Sequence, residues 1–548
     1  MAHALAGKPV QEQDIIDVQT IVDAYFDNVP DVTNPTQLVS FGTSGHRGTS
    51  VDGTFTDLHV AAITQAICDG RKQFGATGPI FVGQDTHALS QPALVTVLEV
   101  LAGNGVTAMV DCDMDFVPTP SVSRAIIRYN EEHDDKADGI IITPSHNPPD
   151  NGGIKYNTII GGPADTVVTK WIEMRANEYL TAYCESEDFK RISIDNIEPS
   201  AQVPYDYKGL YVEELGDVIN MEAIKAAGPK VLVDTLGGSG ASYWNAIKER
   251  YGLDLTIIHD DYDPTFSFMT YDHDGKVRMD CSSTYVMASV INRIGDFDLA
   301  VGNDPDYDRY GIVVSSGLIS ANTFLTLAAR YLFTTRGWKN KGVGKTVVCT
   351  TMIDKWAADA ETPVFEVPVG FKYFSQLLFD GAIGIGGEES AGASFLKKDG
   401  TVWTTDKDGM IMALLSMEIM AVMGKSALKM ADEFLEEFGN PSFGRIDAPC
   451  KKEQKQILKQ MSAELITATT VDGDPITNIR TTSLYNDMPI DGVRVETDKG
   501  WFVARPSGTE DLYKIYGESY KGDLGLVALL TAGEEIVNAA LNGTIETE

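Results

Sequence analysis

The sequence predicts an α/β protein: three similar mixed α/β domains followed by a C-terminal α+β domain. At 548 residues the chain is too long for a single hydrophobic core. Short apolar runs alternate with helix-length segments in three successive cycles, the pattern of parallel βαβ units. The last hundred or so residues break that rhythm with adjacent β runs and one closing helix. The boundaries fall at 1–205, 206–318, 319–440 and 441–548.

Ile15, Ile16, Val18, Ile21, Val22, Tyr25 and Phe26 recur at helical spacing, so the chain opens with an amphipathic helix. It can pack on the first domain or on a second subunit. The segment 41–48 (FGTSGHRG) reads as a loop of small residues with exposed backbone N–H groups, and Arg47 can fork onto a phosphate. Strands follow over 80–83, 106–110 and 139–142, separated by helices over 91–103 and 121–129. The last strand delivers Ser145 in TPSHNP (143–148), with His146 beside it. Open α/β sheets place their ligands at such strand ends. Pro144, Pro148 and Pro149 stiffen the loop and favour an extended Ser145, and Lys155 returns a cation toward it.

A polar stretch near 185–205 ends the first cycle. The second has strands over 231–234, 253–258 and 297–301 with a helix over 241–250, and 237–240 (GGSG) reads as a structural turn. Its last strand leads to Asp304, Asp306 and Asp308, three carboxylates on alternate residues, and to Arg309. In a turn they can converge on one hard divalent cation. The third cycle has strands over 346–349, 364–367 and 382–385 and helices over 323–333, 354–359 and 371–379. The segment 342–346 (GVGKT) lacks the first glycine of a phosphate loop and leads into a strand. Glu388 and Ser390 supply acceptor and donor groups for sugar hydroxyls, and Gly370 and Lys372 lie one helix earlier. In the last domain β runs over 492–496, 501–504 and 512–516 precede a helix over 524–541. Arg505, Ser507, Gly508 and Thr509 combine a guanidinium, hydroxyls and open amides, a phosphate-binding set.

The net charge of −35 argues against nucleic acid or an anionic membrane as partner. An anionic substrate then needs local cations, and Arg47, Lys155, Arg309, Lys372 and Arg505 supply them. Six scattered cysteines without a CxxC pair read as buried, reduced thiols. No signal peptide is evident, and no apolar run approaches the ~20 residues of a membrane span. A cytoplasmic protein is expected.

Four motifs in order, TPSHNP (143–148), DPDYDR (304–309), GEESAG (387–392) and RPSGTE (505–510), resemble the α-D-phosphohexomutase superfamily across essentially the whole chain. The glucose-type bacterial members are the most similar, through Glu389 in the third motif. DPDYDR departs from the commoner DGDGDR but keeps all three aspartates. The resemblance implies four domains around a central cleft and a phosphorylated Ser145. It also implies Mg²⁺ held by Ser145, Asp304, Asp306 and Asp308. Glucose 1-phosphate and glucose 6-phosphate would interconvert through glucose 1,6-bisphosphate, which is both intermediate and activator. Lys155 matches the acid/base position and Arg47 a residue near the phosphoserine. Glu388 and Ser390 match sugar contacts, and Arg505, Ser507 and Thr509 a distal phosphate site. A monomer or homodimer is expected. A Mg²⁺-dependent phosphatase using Ser145 and a sugar-phosphate-binding scaffold are the competing readings. Mannose and glucosamine phosphates are the rival substrates.

Overall fold

The computed structural model describes residues 2–42, 45–184, 189–506 and 512–545. It falls into two compact units. One comprises Met1–Ala321, Phe374–Ala382 and Ser390–Leu428; the other comprises Asn322–Tyr373, Ile383–Glu389 and Lys429–Glu548.

The first unit holds two mixed sheets. In one, β1 (His46–Thr49), β2 (Ile80–Gln84), β3 (Ala108–Asp111), β4 (Asp138–Ile142), β5 (Asn151–Asn157) and β6 (Gln202–Tyr205) lie in the order β1-β5-β4-β2-β3-β6. The β4, β2, β3 and β6 neighbours pair parallel, and β5 returns antiparallel to β4. Both faces are covered, so β4 is apolar after Asp138, whose carboxylate is paired with Arg71. Ile140 and Ile142 join the core containing the helices Asp57–Gly70 and Ser90–Gly103, while Ile141 joins the opposite core with Val122 and Ile126. In the other sheet, β7 (Val231–Asp234), β8 (Leu255–Ile258), β9 (Leu299–Gly302), β10 (Gly311–Val314) and β11 (Gly317–Leu318) lie in the order β11-β10-β9-β7-β8. Here β7 pairs parallel with β8 and β9, and β10 returns antiparallel to β9. Both sheets thus use one device: a buried strand ends in a short loop, and an antiparallel partner brings the chain straight back.

The second unit contains a parallel set of β12 (Gly342–Thr346), β13 (Val364–Val367) and β14 (Ile383–Gly387), with β12 central. β15 (Ala393–Phe395) follows in the first unit. The C-terminal sheet of the second unit has the order β16-β21-β20-β19-β18-β17, from β16 (Ser442–Pro449), β17 (Thr470–Val471), β18 (Asp474–Thr482), β19 (Pro489–Thr497), β20 (Gly500–Pro506) and β21 (Leu512–Ser519). The helix Gly522–Ile545 packs Leu529, Leu530, Val537 and Leu541 into the core of that sheet.

Several expectations are corrected. The third-cycle strand is 342–346 instead of 346–349, so the GVGKT segment is itself the strand. Gly342 suits it because a Cβ there would lie 2.2 Å from the Phe365 ring. Arg47 lies on β1, not in a loop. The opening helix runs Val18–Asp27 and buries Ile21 and Tyr25 in the first-domain core, which answers where it packs. β16 and β18 escaped notice because their apolar residues do not alternate cleanly. Cys281, Cys349 and Cys450 are buried as expected, but Cys112 is exposed. The helix segment Gly522–Asn542 has the length and composition of a membrane span, but it packs Leu529, Leu530, Val537 and Leu541 into the C-terminal core.

Candidate active site

Ser145 leaves β4 in a left-handed conformation, φ +59°, instead of the extended one its prolines suggested. For a non-glycine residue that costs roughly 1–2 kcal/mol. Local hydrogen bonds hold it there. The Ser145 N–H donates to Thr143 Oγ1 at 2.7 Å, and Thr143 Oγ1 donates to Asp85 Oδ2 at 2.6 Å. Gly153 on β5 lets the returning strand approach closely, since a Cβ there would sit 2.2 Å from the Thr143 carbonyl.

The serine hydroxyl, almost fully buried, donates to Asp304 Oδ2 at 2.8 Å. Asp304, Asp306 and Asp308 line the loop between β9 and β10, are fully buried, and offer one oxygen each within 4.8 Å of one another. The GGSG turn supports this loop from behind. Ser239 donates from its N–H and its hydroxyl to the Pro305 carbonyl, both at 2.8 Å. A Cβ at Gly240 would lie 2.3 Å from the Tyr307 ring, so the turn is structural but serves the site.

Lys155, on β5, donates to Asp306 Oδ2 at 2.6 Å and to Asp308 Oδ2 at 3.1 Å. Lys407 Nζ lies 3.0 Å from Asp308 Oδ2, and Thr119 Oγ1 donates to Asp306 Oδ2 at 2.7 Å. Burial lowers the Lys155 pKa, but the charges of Asp306 and Asp308 outweigh it and raise it overall. Asp304 is held well above the usual carboxylate range by burial and then by the charges of Asp306 and Asp308. Asp308 goes the other way: burial is outweighed by Lys155, Lys407 and Arg309. Asp306 Oδ1 and Asp308 Oδ1 remain buried without a hydrogen-bond partner. Two orphaned anionic oxygens beside a third carboxylate and a serine hydroxyl fit a hard divalent cation.

Arg309 donates to Asp280 Oδ2 at 3.2 Å, and its backbone N–H donates to Asp304 Oδ1 at 3.0 Å. His146 Nε2 lies 3.9 Å from Asp280 Oδ2; its pKa is lowered by burial and by the charge of Arg309. Arg47 is half-buried, and burial weakens its hold on its proton against the pull of Asp306 and Asp308. The second half of GEESAG also reaches this loop, through the Tyr310 N–H donating to the Ala391 carbonyl at 3.1 Å.

In the second unit, Glu388 Oε1 accepts the Gly370 N–H at 3.2 Å, so those two predicted residues meet. Glu389 turns onto the sheet and accepts from Thr346 Oγ1 at 3.2 Å. Lys372 and Ser390 are half-buried. Arg505 Nε donates to the Ile490 carbonyl at 2.9 Å within the C-terminal sheet. Ser507, Gly508 and Thr509 lie outside the described residues. Sequence reading missed Lys407, Asp280, Thr119 and Asp85. Only Lys407 left a signal, in the charged 406–408 run before an apolar helix, Gly409–Met423.

A serine bonded to an oxygen-only cation site, with lysines and arginines around it, has the composition of a phosphoryl-transfer centre. Four models of the phosphoglucomutase/phosphomannomutase family match the chain in order. They are alpha/beta/alpha domain I over residues 38–182, domain II over 210–317, domain III over 320–438 and the C-terminal domain over 447–524. A phosphoglucomutase of Komagataeibacter xylinus is 46% identical over 97% of each chain. Phosphoglucomutase 1 of Saccharomyces cerevisiae is 27% identical over 90% of each. The open form of parafusin, a phosphoglucomutase from Paramecium, superposes with a TM-score of 0.72. It is 20% identical, covers 94% of this chain and 96% of its own, and supports the fold. The chain belongs to the phosphoglucomutase/phosphomannomutase family, within the α-D-phosphohexomutase superfamily.

Proposed function

We propose that this chain interconverts glucose 1-phosphate and glucose 6-phosphate through phospho-Ser145 and a glucose 1,6-bisphosphate intermediate. The observation that carries this reading is the 2.8 Å hydrogen bond from Ser145 Oγ to Asp304, inside the aspartate cluster that also receives Lys155. Phospho-Ser145 gives its phosphoryl group to the free hydroxyl of the bound hexose phosphate. The bond from phosphorus to Ser145 Oγ breaks as the new one forms, Lys155 protonates Ser145 Oγ, and the proton lost by the hydroxyl restores that of Lys155. The bisphosphate reorients, and its other phosphate returns to Ser145 as the second hexose phosphate leaves with a proton. Lys155, held protonated by Asp306 and Asp308, serves as the proton donor. Asp304, Asp306 and Asp308, with Ser145, would hold Mg²⁺, which supplies charge neutralisation for the transferring phosphoryl oxygens. Arg309, Arg47 and His146 flank that group. Glu388, Ser390, Gly370 and Lys372 are assigned to the sugar, and Arg505, Ser507, Gly508 and Thr509 to its non-reacting phosphate. The domain limits 1–205, 206–318, 319–440 and 441–548, a cytoplasmic location and a monomeric or homodimeric state belong to the same reading.

The test is conversion of glucose 1-phosphate with Mg²⁺ and trace glucose 1,6-bisphosphate, beside mannose 1-phosphate and glucosamine 1-phosphate. Fast turnover on glucose, stimulated by the bisphosphate, supports the reading. Release of free phosphate instead identifies a phosphatase. A preference for another sugar overturns the substrate assignment.

A further inference from the structure

The serine loop is fastened at both ends to one buried pair that none of the motifs contains. Asp85 follows β2, and its carboxylate accepts four hydrogen bonds. Thr143 Oγ1 and His87 Nδ1 reach Oδ2 at 2.6 and 2.9 Å; Ser90 Oγ and the His87 N–H reach Oδ1 at 2.6 and 3.0 Å. His87 Nε2 lies 3.0 Å from the Asn147 carbonyl. Asp85 and His87 are each about 1% exposed, and the imidazole packs on the Phe266 ring, centroids 5.0 Å apart. Both ring nitrogens of His87 face acceptors, a carboxylate on one side and a carbonyl on the other. The ring therefore bridges them, donating to at least one of the two.

We infer that the Asp85–His87 pair positions the phosphoryl-carrying serine, gripping its loop through Thr143 on one side and Asn147 on the other. Asp85 fixes the Thr143 hydroxyl so that its oxygen accepts the Ser145 N–H, and that bond holds the left-handed backbone. His87 fixes the carbonyl two residues beyond the serine. Between these anchors the Ser145 hydroxyl donates to Asp304 Oδ2 at 2.8 Å, with His146 Nδ1 3.4 Å away. A phosphoryl group displaced by an ångström from its acceptor loses orders of magnitude in rate. The pair touches no reacting atom: these are positioning residues. The inference rests on the mutase reading of Ser145 and adds to it the residues that aim the serine.

The experiment uses the full chain and the variants Thr143→Val, Thr143→Ser and His87→Phe. Each is incubated with glucose 1,6-bisphosphate and Mg²⁺. Phosphate on Ser145 is read by intact mass and by its ³¹P resonance, and kcat, KM and Tm are measured alongside. Thr143→Val, which keeps the side-chain shape, and His87→Phe should lower kcat by roughly 10²-fold. KM for glucose 1-phosphate should stay within about threefold, and the phosphoserine resonance should shift. Thr143→Ser, which restores the hydroxyl, should return kcat and the resonance to those of the unmodified protein. Should His87→Phe fail to fold, the Thr143 pair decides alone. Unchanged kcat and resonance in Thr143→Val, whatever its Tm, overturn the positioning role while leaving the mutase reading intact. An unmodified protein that takes no phosphate on Ser145 brings down both.

Discussion

Two buried charge networks in this chain follow opposite rules. Around Glu366, in the second unit, opposite charges meet in matched geometry. The Glu366 carboxylate takes both terminal nitrogens of Arg480, the Oε2 bond at 2.9 Å, and Arg480 also reaches Glu496 Oε1 at 3.2 Å. Arg494 donates to Glu496 and lies 4.1 Å over the Trp501 ring. The Ser145 cluster in the first unit instead packs three carboxylates together, shares two lysines between two of them and leaves two oxygens unpartnered. A network whose opposite charges are matched in geometry offsets much of its own desolvation cost. One that leaves buried carboxylate oxygens without a partner is completed by a divalent cation.

Substitutions should separate the two. Ser145→Ala should show the largest effect, cutting mutase turnover to roughly 10⁻³ of wild type or less while leaving Tm within a degree or two; substantial residual turnover overturns the role of the serine. Asp304→Asn comes next. It should weaken Mg²⁺ binding, measured by calorimetry, by at least about tenfold. In metal-depleted protein it should leave Tm unchanged or raised, because it removes a carboxylate that burial and its two neighbours already disfavour. A large fall in Tm would place this cluster under the same rule as the Glu366 network.

Glu366→Gln should behave in the opposite sense. Removing the bidentate carboxylate from Arg480, which then keeps the Glu496 carboxylate at 3.2 Å, should cost up to about 3–5 kcal/mol, read as a lower denaturation midpoint, while turnover per folded molecule persists. Loss of turnover without loss of stability would erase the distinction.

The smallest effect concerns acid. His46 and His59 stack with centroids 5.3 Å apart and are kept neutral. His46 Nδ1 accepts the Ser40 N–H and its Nε2 donates to Thr54 O, and burial lowers its pKa to about 4. Burial and then the neighbouring His46 lower His59 to about 3. The unfolded chain therefore binds protons first. Stability should be full above the ordinary histidine pKa of about 6.5 and should fall as pH drops from there through 4 to 3. Urea midpoints against pH should show this slope in the wild type and a flatter one in His59→Gln. Equal slopes would remove the histidine pair from the account.

Much of this was legible in the sequence. The apolar run of β4 has to be a strand buried on both faces, and a serine after it has to emerge at a sheet edge. Alternate aspartates after β9 have to crowd in a turn, so they announced a cation site without any coordinates. These are local consequences of pleat, turn and charge. The rest depended on residues distant in sequence. Nothing near Ser145 in the chain indicates that Asp85 and His87 hold its loop, that Lys407 shares Asp308, or that Ser145 itself is left-handed. A buried polar group takes whatever partner the packed sheets bring within 3 Å, and a strained backbone persists only where tertiary bonds hold it. Sequence spacing fixes the chemical groups present; only the closed sheets decide which of them touch.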